Sequence, residues 1–377
     1  MHQEGLTGAD VAIIGGGLAG AAAAILLARA GKQVILAERA AGPHHKVCGE
    51  FLSWEAQPML AALGIDVAAL GAPVIDRLRL ADGARMIETV LLHPARSLSR
   101  YALDEALLQQ AQAAGARLLR GTAVSGLERA AGTAGGWSLT FGNRETIAVP
   151  TVFLATGKHE LRGWPRPREA ANDLIGFKMH LALAPAQQAA LAGHVEIHLF
   201  DGGYAGLEPV EGGASNLCFL VNKTVYAECG RNWAQLLHWL AAKTPVLGER
   251  LAGARELWPR ALAVYGIPYG HLATPVPGEE GLYRLGDQMA VIPSFAGDGM
   301  AIALRSGFLA AEAYLGAHGA RHYHRLARRK FRRPVRFASW IARAAAAPVG
   351  RRAVFTLARI APGLLPAIMR STRVSGF

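Results

Sequence analysis

A chain of 377 residues has room for two domains at roughly 150 residues each, and 51% hydrophobic against 18% charged residues excludes disorder and supplies a core. Three cysteines, Cys48, Cys218 and Cys229, are too few for a disulfide framework or a Cys-based zinc site, so a reducing, cytoplasmic setting is expected. The net charge of +12 is uneven. Residues 321–377 hold fourteen of the forty Arg and Lys and no Asp or Glu, which leaves the rest of the chain near neutrality with 26 basic and 28 acidic residues. Nucleic-acid binding by the whole protein is therefore not expected, since such proteins carry charge across a recognition face.

Residues 11–30 are apolar but lack a basic leader segment and are interrupted by Gly15, Gly16, Gly17 and Gly20, so they do not read as a signal peptide. The stretch predicts a short strand, a glycine turn, an apolar helix to about Ala30 and a second strand over 34–37. That is a βαβ unit of a parallel sheet covered on both faces. A helix is predicted over 100–114, ending at Gly115, and a buried strand over 151–155. From about 168 to 274 the pattern alternates, most clearly over 194–200 and 217–221, and reads as an antiparallel sheet. Glycine-turn chemistry returns at 286–299 and opens a helix over 300–314. The tail reads as basic helices punctuated by Pro334, Pro348, Pro362 and Pro366, and residues 353–369 are too short and broken to span a membrane.

Gly15-x-Gly17-x-x-Gly20 follows a strand, opens a helix and is answered by Glu38 at the end of the next strand. Gly15 permits a tight turn, Gly17 lets the backbone approach a pyrophosphate, and Gly20 lets helix and strand pack closely. The helix N-terminus offers unpaired N–H donors, and Glu38 can accept from both ribose hydroxyls. These residues predict a dinucleotide site and leave FAD and NAD open. Gly286-Asp287, Pro293, Gly297 and Gly299-Met300 form a second cluster, in which an Asp can bind a polyol and a helix N-terminus can face a reduced flavin.

These motifs, together with Arg100-x-x-Leu103-Asp104-x-x-Leu107, occur in the same order in flavin-dependent aromatic hydroxylases of the p-hydroxybenzoate hydroxylase fold and in geranylgeranyl reductases, which the chain resembles over most of residues 8–315. The resemblance implies an α/β architecture: a Rossmann-like, doubly wound FAD-binding domain (1–70, 100–165, 276–320), an inserted antiparallel β-sheet substrate domain (71–99, 166–275) and basic C-terminal helices (321–377). It implies FAD, with NAD(P)H as reductant and an apolar small molecule as substrate. Arg100 would lie near the pyrophosphate, Asp287 near the ribityl or phosphate region, and Gly299 and Met300 at the isoalloxazine edge. Arg39, Cys48, Gly49, Val124, Gly157, Pro293 and Gly297 complete the expected cofactor contacts. Hydroxylases carry an Asp-Gly pair where this chain has Thr156-Gly157, so their way of handling nicotinamide is not carried over.

Geranylgeranyl reductases carry a Cys-Gly pair where this chain has Cys48-Gly49. A thiol there would donate the proton that saturation of a double bond requires; a buried inert cysteine is the equal alternative. The segment from Gly202 to Pro209 also resembles the reductases. The Trp-x-Trp-x-Ile-Pro motif of flavin halogenases is absent, Trp164 being followed by Pro-Arg-Pro. Monooxygenation of an aromatic or polyketide-like molecule is placed ahead of lipid double-bond reduction, as the commoner chemistry of the fold. A flavin-free NAD-binding module is the remaining alternative.

His194, Glu196 and His198 share a strand face and could ligate zinc, but a polar outer sheet face is preferred and no metal is assigned. His322 and His324 read as solvated. Tyr323, Leu326, Ala327, Phe331 and Val335 make an apolar stripe among arginines. Packing on the body is preferred for it, with peripheral contact to a membrane as the alternative.

Overall fold

Strands that are apolar on both sides need cover on both sides, and this requirement organises the first layer. In the computed structural model, which describes residues 8–130, 136–166, 173–361 and 363–374, five strands form a parallel sheet in the order Leu282–Arg284, Thr151–Leu154, Val11–Ile14, Val34–Glu38, Arg117–Arg120. Ile14 pairs with Leu154 on one side and Ala37 on the other. The helix Leu18–Arg29 is buried along nearly its whole length and crosses the helix Gly299–Leu315 at Gly307, where a Cβ would stand 2.6 Å from the Ala19 carbonyl oxygen. Gly31, in the left-handed region at φ +77°, ends the first of these helices, with its N–H on the Ala28 carbonyl at 2.9 Å.

The second layer is a nine-stranded sheet built mainly from residues 174–222, with Val74–Asp82 and Arg85–Ser97 added at one end. Its pairings are antiparallel except at one seam, where His194–Phe200 runs parallel to Val74–Asp82. The expected antiparallel sheet is present, with this one parallel seam joining Val74–Asp82 to it. A three-stranded meander, Val124–Arg129, Trp137–Phe141 and Thr146–Val149, covers the parallel sheet from the other side. The helix Arg100–Ala113 starts at Ser99, whose hydroxyl accepts the Ala102 N–H at 3.1 Å. Residues 1–7, 131–135, 167–172 and 375–377, which fall within the predicted domain ranges, lie outside the described residues, as does Pro362.

Three expectations fail in the tail and the large sheet. Pro334 does not end a helix: it lies inside Gly319–Ala346. A mid-helix proline costs about 3 kcal/mol, and burial of Tyr323, Ala327, Phe331, Val335 and Ala338 against the body offsets that cost. His324 is buried, not solvated, and its Nε2 accepts the Arg284 N–H at 3.1 Å. Glu196 and His198 are buried as well, because Arg79 and Arg250 close over Glu196 at 3.0 and 3.1 Å. They form the interior of an ion network, not the outer face of a sheet.

His324 stays neutral in the fold because burial, and then the Arg284 charge, lower its pKa to about 4, while the unfolded chain protonates near 6.5. Below about 6.5 the unfolded state binds the extra proton, so this group removes stability as pH falls toward about 4, by up to about 3 kcal/mol. His324→Gln keeps an acceptor for the Arg284 N–H and should lose less stability than the parent between neutral pH and about pH 5 in urea titrations. Part of the slope should remain, since burial also lowers His45 to about 4.

Candidate active site

A cleft of about 550 Å³ opens at the carboxyl ends of the parallel strands, where such sheets hold their ligands. Gly15, Gly17, Glu38 and Arg39 line it from the first βαβ unit, and Cys48 and Gly49 from the loop that follows. Arg100, Val124 and Gly157 form the far wall, and Asp287, Gly297, Gly299 and Met300 come from the second glycine turn. Gly20 and Pro293 do not line it. A Cβ on Gly20 would overlap the Gly15 carbonyl oxygen, so Gly20 serves helix packing. Pro293 stands behind the turn Ser294–Ala296 and accepts the Ala296 N–H at 3.1 Å.

The three glycines of the first turn have separate roles. Gly15 lies at φ +107°, and a Cβ there would overlap the Ala155 carbonyl. Gly17 has an ordinary φ of −74°, but a Cβ there would point at Arg100 Nη2, 3.4 Å away, and Lys46 Nζ, 3.9 Å away. Two cations therefore face the backbone at the start of a helix, which is the chemistry of a pyrophosphate cradle. Asp104 holds both, at 2.8 Å from Lys46 Nζ and 2.8 Å from Arg100 Nε. Glu38 accepts the Gly16 N–H at 2.8 Å and the Ala40 N–H at 2.9 Å, leaving lone pairs on both oxygens toward the cleft.

Sequence reasoning missed Lys46 as a phosphate-facing cation, and it missed a buried charged cluster behind the Cys48 loop. The side chains of Glu50 and Lys178 are in contact and fully buried, and Glu50 also meets His180 Nε2 at 2.7 Å and the Arg100 N–H at 2.7 Å. Burial pushes the Glu50 carboxyl up, but the Lys178 charge and the His180 bond outweigh it and hold the group below its ordinary range. The available signal was Lys178-x-His180, two titratable side chains on one face of an apolar strand. His45, Glu50 and His180 bring ligand atoms within 4.8 Å of one another, and Lys178 already takes the place of a cation on Glu50. Glu208, opposite Asn216 in the sheet, is buried with no hydrogen bond to either oxygen. Burial, and then the Glu50 charge, raise its pKa well above the ordinary carboxylate value.

Cys48 faces the cleft. Its Sγ accepts the Glu50 N–H at 3.4 Å and lies beside the Arg100 guanidinium. Asn216 Nδ2 fixes the loop by donating to the carbonyls of Cys48 and Gly49 at 3.2 and 2.9 Å. Beyond the loop, Leu262, Val264, Ile267, Val291 and Ile292 make an apolar wall, with Tyr269 donating or accepting at Ser294 Oγ, 2.5 Å away. Trp164 is structural: its Nε1 donates to the Leu127 carbonyl at 2.7 Å.

An open backbone at Gly17 facing two cations, a carboxylate at the end of the second strand and a second helix N-terminus across the same cleft fit an extended dinucleotide that continues into a flavin. The chain is an FAD-dependent oxidoreductase. Residues 8–136 match the model of an FAD binding domain. Menaquinone reductase of Mycobacterium tuberculosis is 27% identical over 327 residues, covering 81% of this chain and 76% of that one. Among solved structures, a triple mutant of the flavin-dependent brominase Bmp2 superposes with a TM-score of 0.80 at 17% identity, covering 98% of this chain and 96% of that one. A geranylgeranyl bacteriochlorophyll reductase-like protein from Thermoplasma acidophilum gives 0.71 at 20% identity, covering 90% and 87%. At these identities the structures speak for the fold, and the match to an FAD binding domain sets aside a flavin-free NAD module.

Gly17→Asp places a carboxylate against Arg100 and Lys46 at a permissive φ. The variant should fold with the parental far-UV spectrum and purify without FAD absorbance; a yellow variant would remove Gly17 from the cradle. Lys178→Met strands the buried Glu50 charge and should cost about 3 kcal/mol in urea unfolding. Adding Glu50→Gln should recover part of that loss.

Proposed function

We propose that the chain reduces a carbon–carbon double bond of an apolar, quinone-like or polyene substrate. The observation that carries this reading is the Cys48 thiol on the cleft wall, fixed by Asn216 and Glu50, next to an apolar surface. Reduced FAD supplies a hydride when bound, and NAD(P)H is the proposed source of its electrons. The protein residues then have three tasks. The apolar wall formed by Leu262, Val264, Ile267, Val291 and Ile292 binds the substrate and excludes water. Cys48 delivers a proton from Sγ to the neighbouring carbon, so that one hydride and one proton complete the single bond. Arg100, beside the sulfur, stabilises the thiolate left behind until it is reprotonated.

Two buried groups near the apolar end are poorly suited to take a proton from the substrate. Burial raises the Tyr269 phenol, which stays protonated, and Glu50 is neutralised by Lys178. The name carried by the mycobacterial relatives, menaquinone reductase, agrees with a reduction of an apolar molecule.

A second reading, monooxygenation of a hydroxyaromatic substrate, is favoured by His45. This residue lines the cleft and is held between Tyr101, Trp258 and His180, and its buried Nδ1 has no partner. Burial, and then His180, lower its pKa to about 4, so it is neutral and able to accept a phenolic proton.

Product masses separate the two readings. Flavin-loaded protein, NADH or NADPH and an apolar lipid extract should give a product heavier by two hydrogens without oxygen present. Cys48→Ala should keep its FAD and lose at least about a hundredfold in turnover. A product heavier by one oxygen, formed only in air and abolished by His45→Gln, would establish the second reading instead.

A further inference from the structure

The C-terminal helices present a face that the body does not cover. In Gly319–Ala346 the buried stripe packs inward, and Arg325, Arg329, Arg332, Arg336, Trp340 and Arg343 recur every three or four residues on the opposite, exposed side. Trp340, near the C-terminal end of this row, is 62% exposed. The next helix, Pro348–Ile360, is pinned to the large sheet by Phe355 and Ala358, and by Arg351 on Asp82 and Asp201 at 3.1 and 2.7 Å. Its outer side carries Val349, Leu357 and Ile360, which are 81%, 53% and 71% exposed, with Arg352 and Arg359 beside them. The chain then bends by 115° into Leu365–Thr372. Among the described residues no single helix is long and apolar enough to cross a membrane.

We propose that this outer face docks on the surface of an anionic lipid bilayer. Three observations select that partner. Residues 321–377 contain fourteen Arg and Lys and no acidic side chain, and among the described residues the exposed arginines of the row have no ion pair, so the face is complementary to anionic headgroups. The exposed apolar side chains are aliphatic with one Trp, which suits burial at the headgroup boundary and gains nothing from a phosphate backbone. A second copy would bring two cationic faces together, and their repulsion disfavours pairing. The same segment ends at the cleft: Arg373 Nη1 and the Val374 N–H reach Asp298 at 3.4 and 2.7 Å, and Arg373 stands over the ring of Phe51, which lines the cavity. Docking therefore fixes the cleft relative to the bilayer in which an apolar substrate resides.

The test is flotation of the full FAD-loaded chain with vesicles of phosphatidylcholine alone and of phosphatidylcholine mixed with phosphatidylglycerol. The protein should float with the mixed vesicles only, and less so at high salt. Arg332→Glu with Arg336→Glu should weaken binding at least about tenfold. Trp340→Ser with Leu357→Ser should remove the part that resists salt. All four positions are exposed, so FAD absorbance and thermal midpoint should match the parent, and either property serves as the folding control. Absence of flotation with the mixed vesicles, equal flotation with neutral ones, or flotation unaffected by both variants would overturn the proposal. So would displacement from the mixed vesicles by duplex DNA combined with indifference to Trp340→Ser and Leu357→Ser. Self-association at the expense of flotation would overturn it too, in favour of a second copy as the occupant.

Discussion

One buried carboxylate fixes the active-site loop. Glu50 occupies a left-handed backbone position at φ +60°, a conformation that costs a non-glycine residue on the order of 1 kcal/mol or more. That turn sends the side chain inward, where it meets Lys178 and His180 from the large sheet and the N–H of Arg100 from the helix below. Three segments far apart in sequence are held by two oxygen atoms. An ion pair of this kind contributes little net stability, because desolvating both charges consumes most of the attraction. Its value is positional: it sets the direction of the Cys48 and Gly49 peptides, which Asn216 then holds from the other side.

The phosphate end of the cleft follows a different logic. There the cations line the cleft, and Asp104 binds Lys46 and Arg100 together. Asp104 keeps the two side chains extended toward Gly17, so that little conformational entropy remains to be lost when an anion arrives. Gly15 and Gly20 bring the backbone into position by close packing, and Gly17 leaves the space open. The sheet end and the phosphate end thus use different means, one a buried neutralised charge and the other a preorganised pair of cations on the cleft wall.

How far these features were legible in the sequence depends on how local their causes are. The turn from Gly15 to Gly20, Glu38 and the second turn at Gly286 to Met300 could be read because each constraint acts within a few residues of itself. Lys178 and His180 left only the trace of two titratable side chains on one strand face, and Glu208 none, because their partner Glu50 comes from a distant segment, 130 residues from His180. Charge composition misled the reading of His324: a histidine in an arginine-rich tail looks solvated, but the helical period turns it inward together with Tyr323. Pro334 misled in the same way, because the local penalty is smaller than the burial gained by continuing the helix. The pairing of Val74–Asp82 with His194–Phe200 is parallel across more than a hundred residues, and no turn signal announces such a seam.

The tail bears on the electrostatics of the cleft as well as on its surroundings. Asp298 immediately precedes the helix Gly299–Leu315, whose N-terminal residues Gly299 and Met300 line the cavity. A bare carboxylate there would cancel the positive end of the helix dipole where an electron-rich ring needs it. Burial, the largest influence on Asp298, raises its pKa, while Arg373, Ser53 and the Val374 N–H favour the ionised form. The balance at that helix start is therefore set partly by Arg373 and Val374. Seating of the C-terminal helices and the field inside the cleft are two consequences of the same contact, and a change that lifts the tail from the body must also change the potential at Gly299.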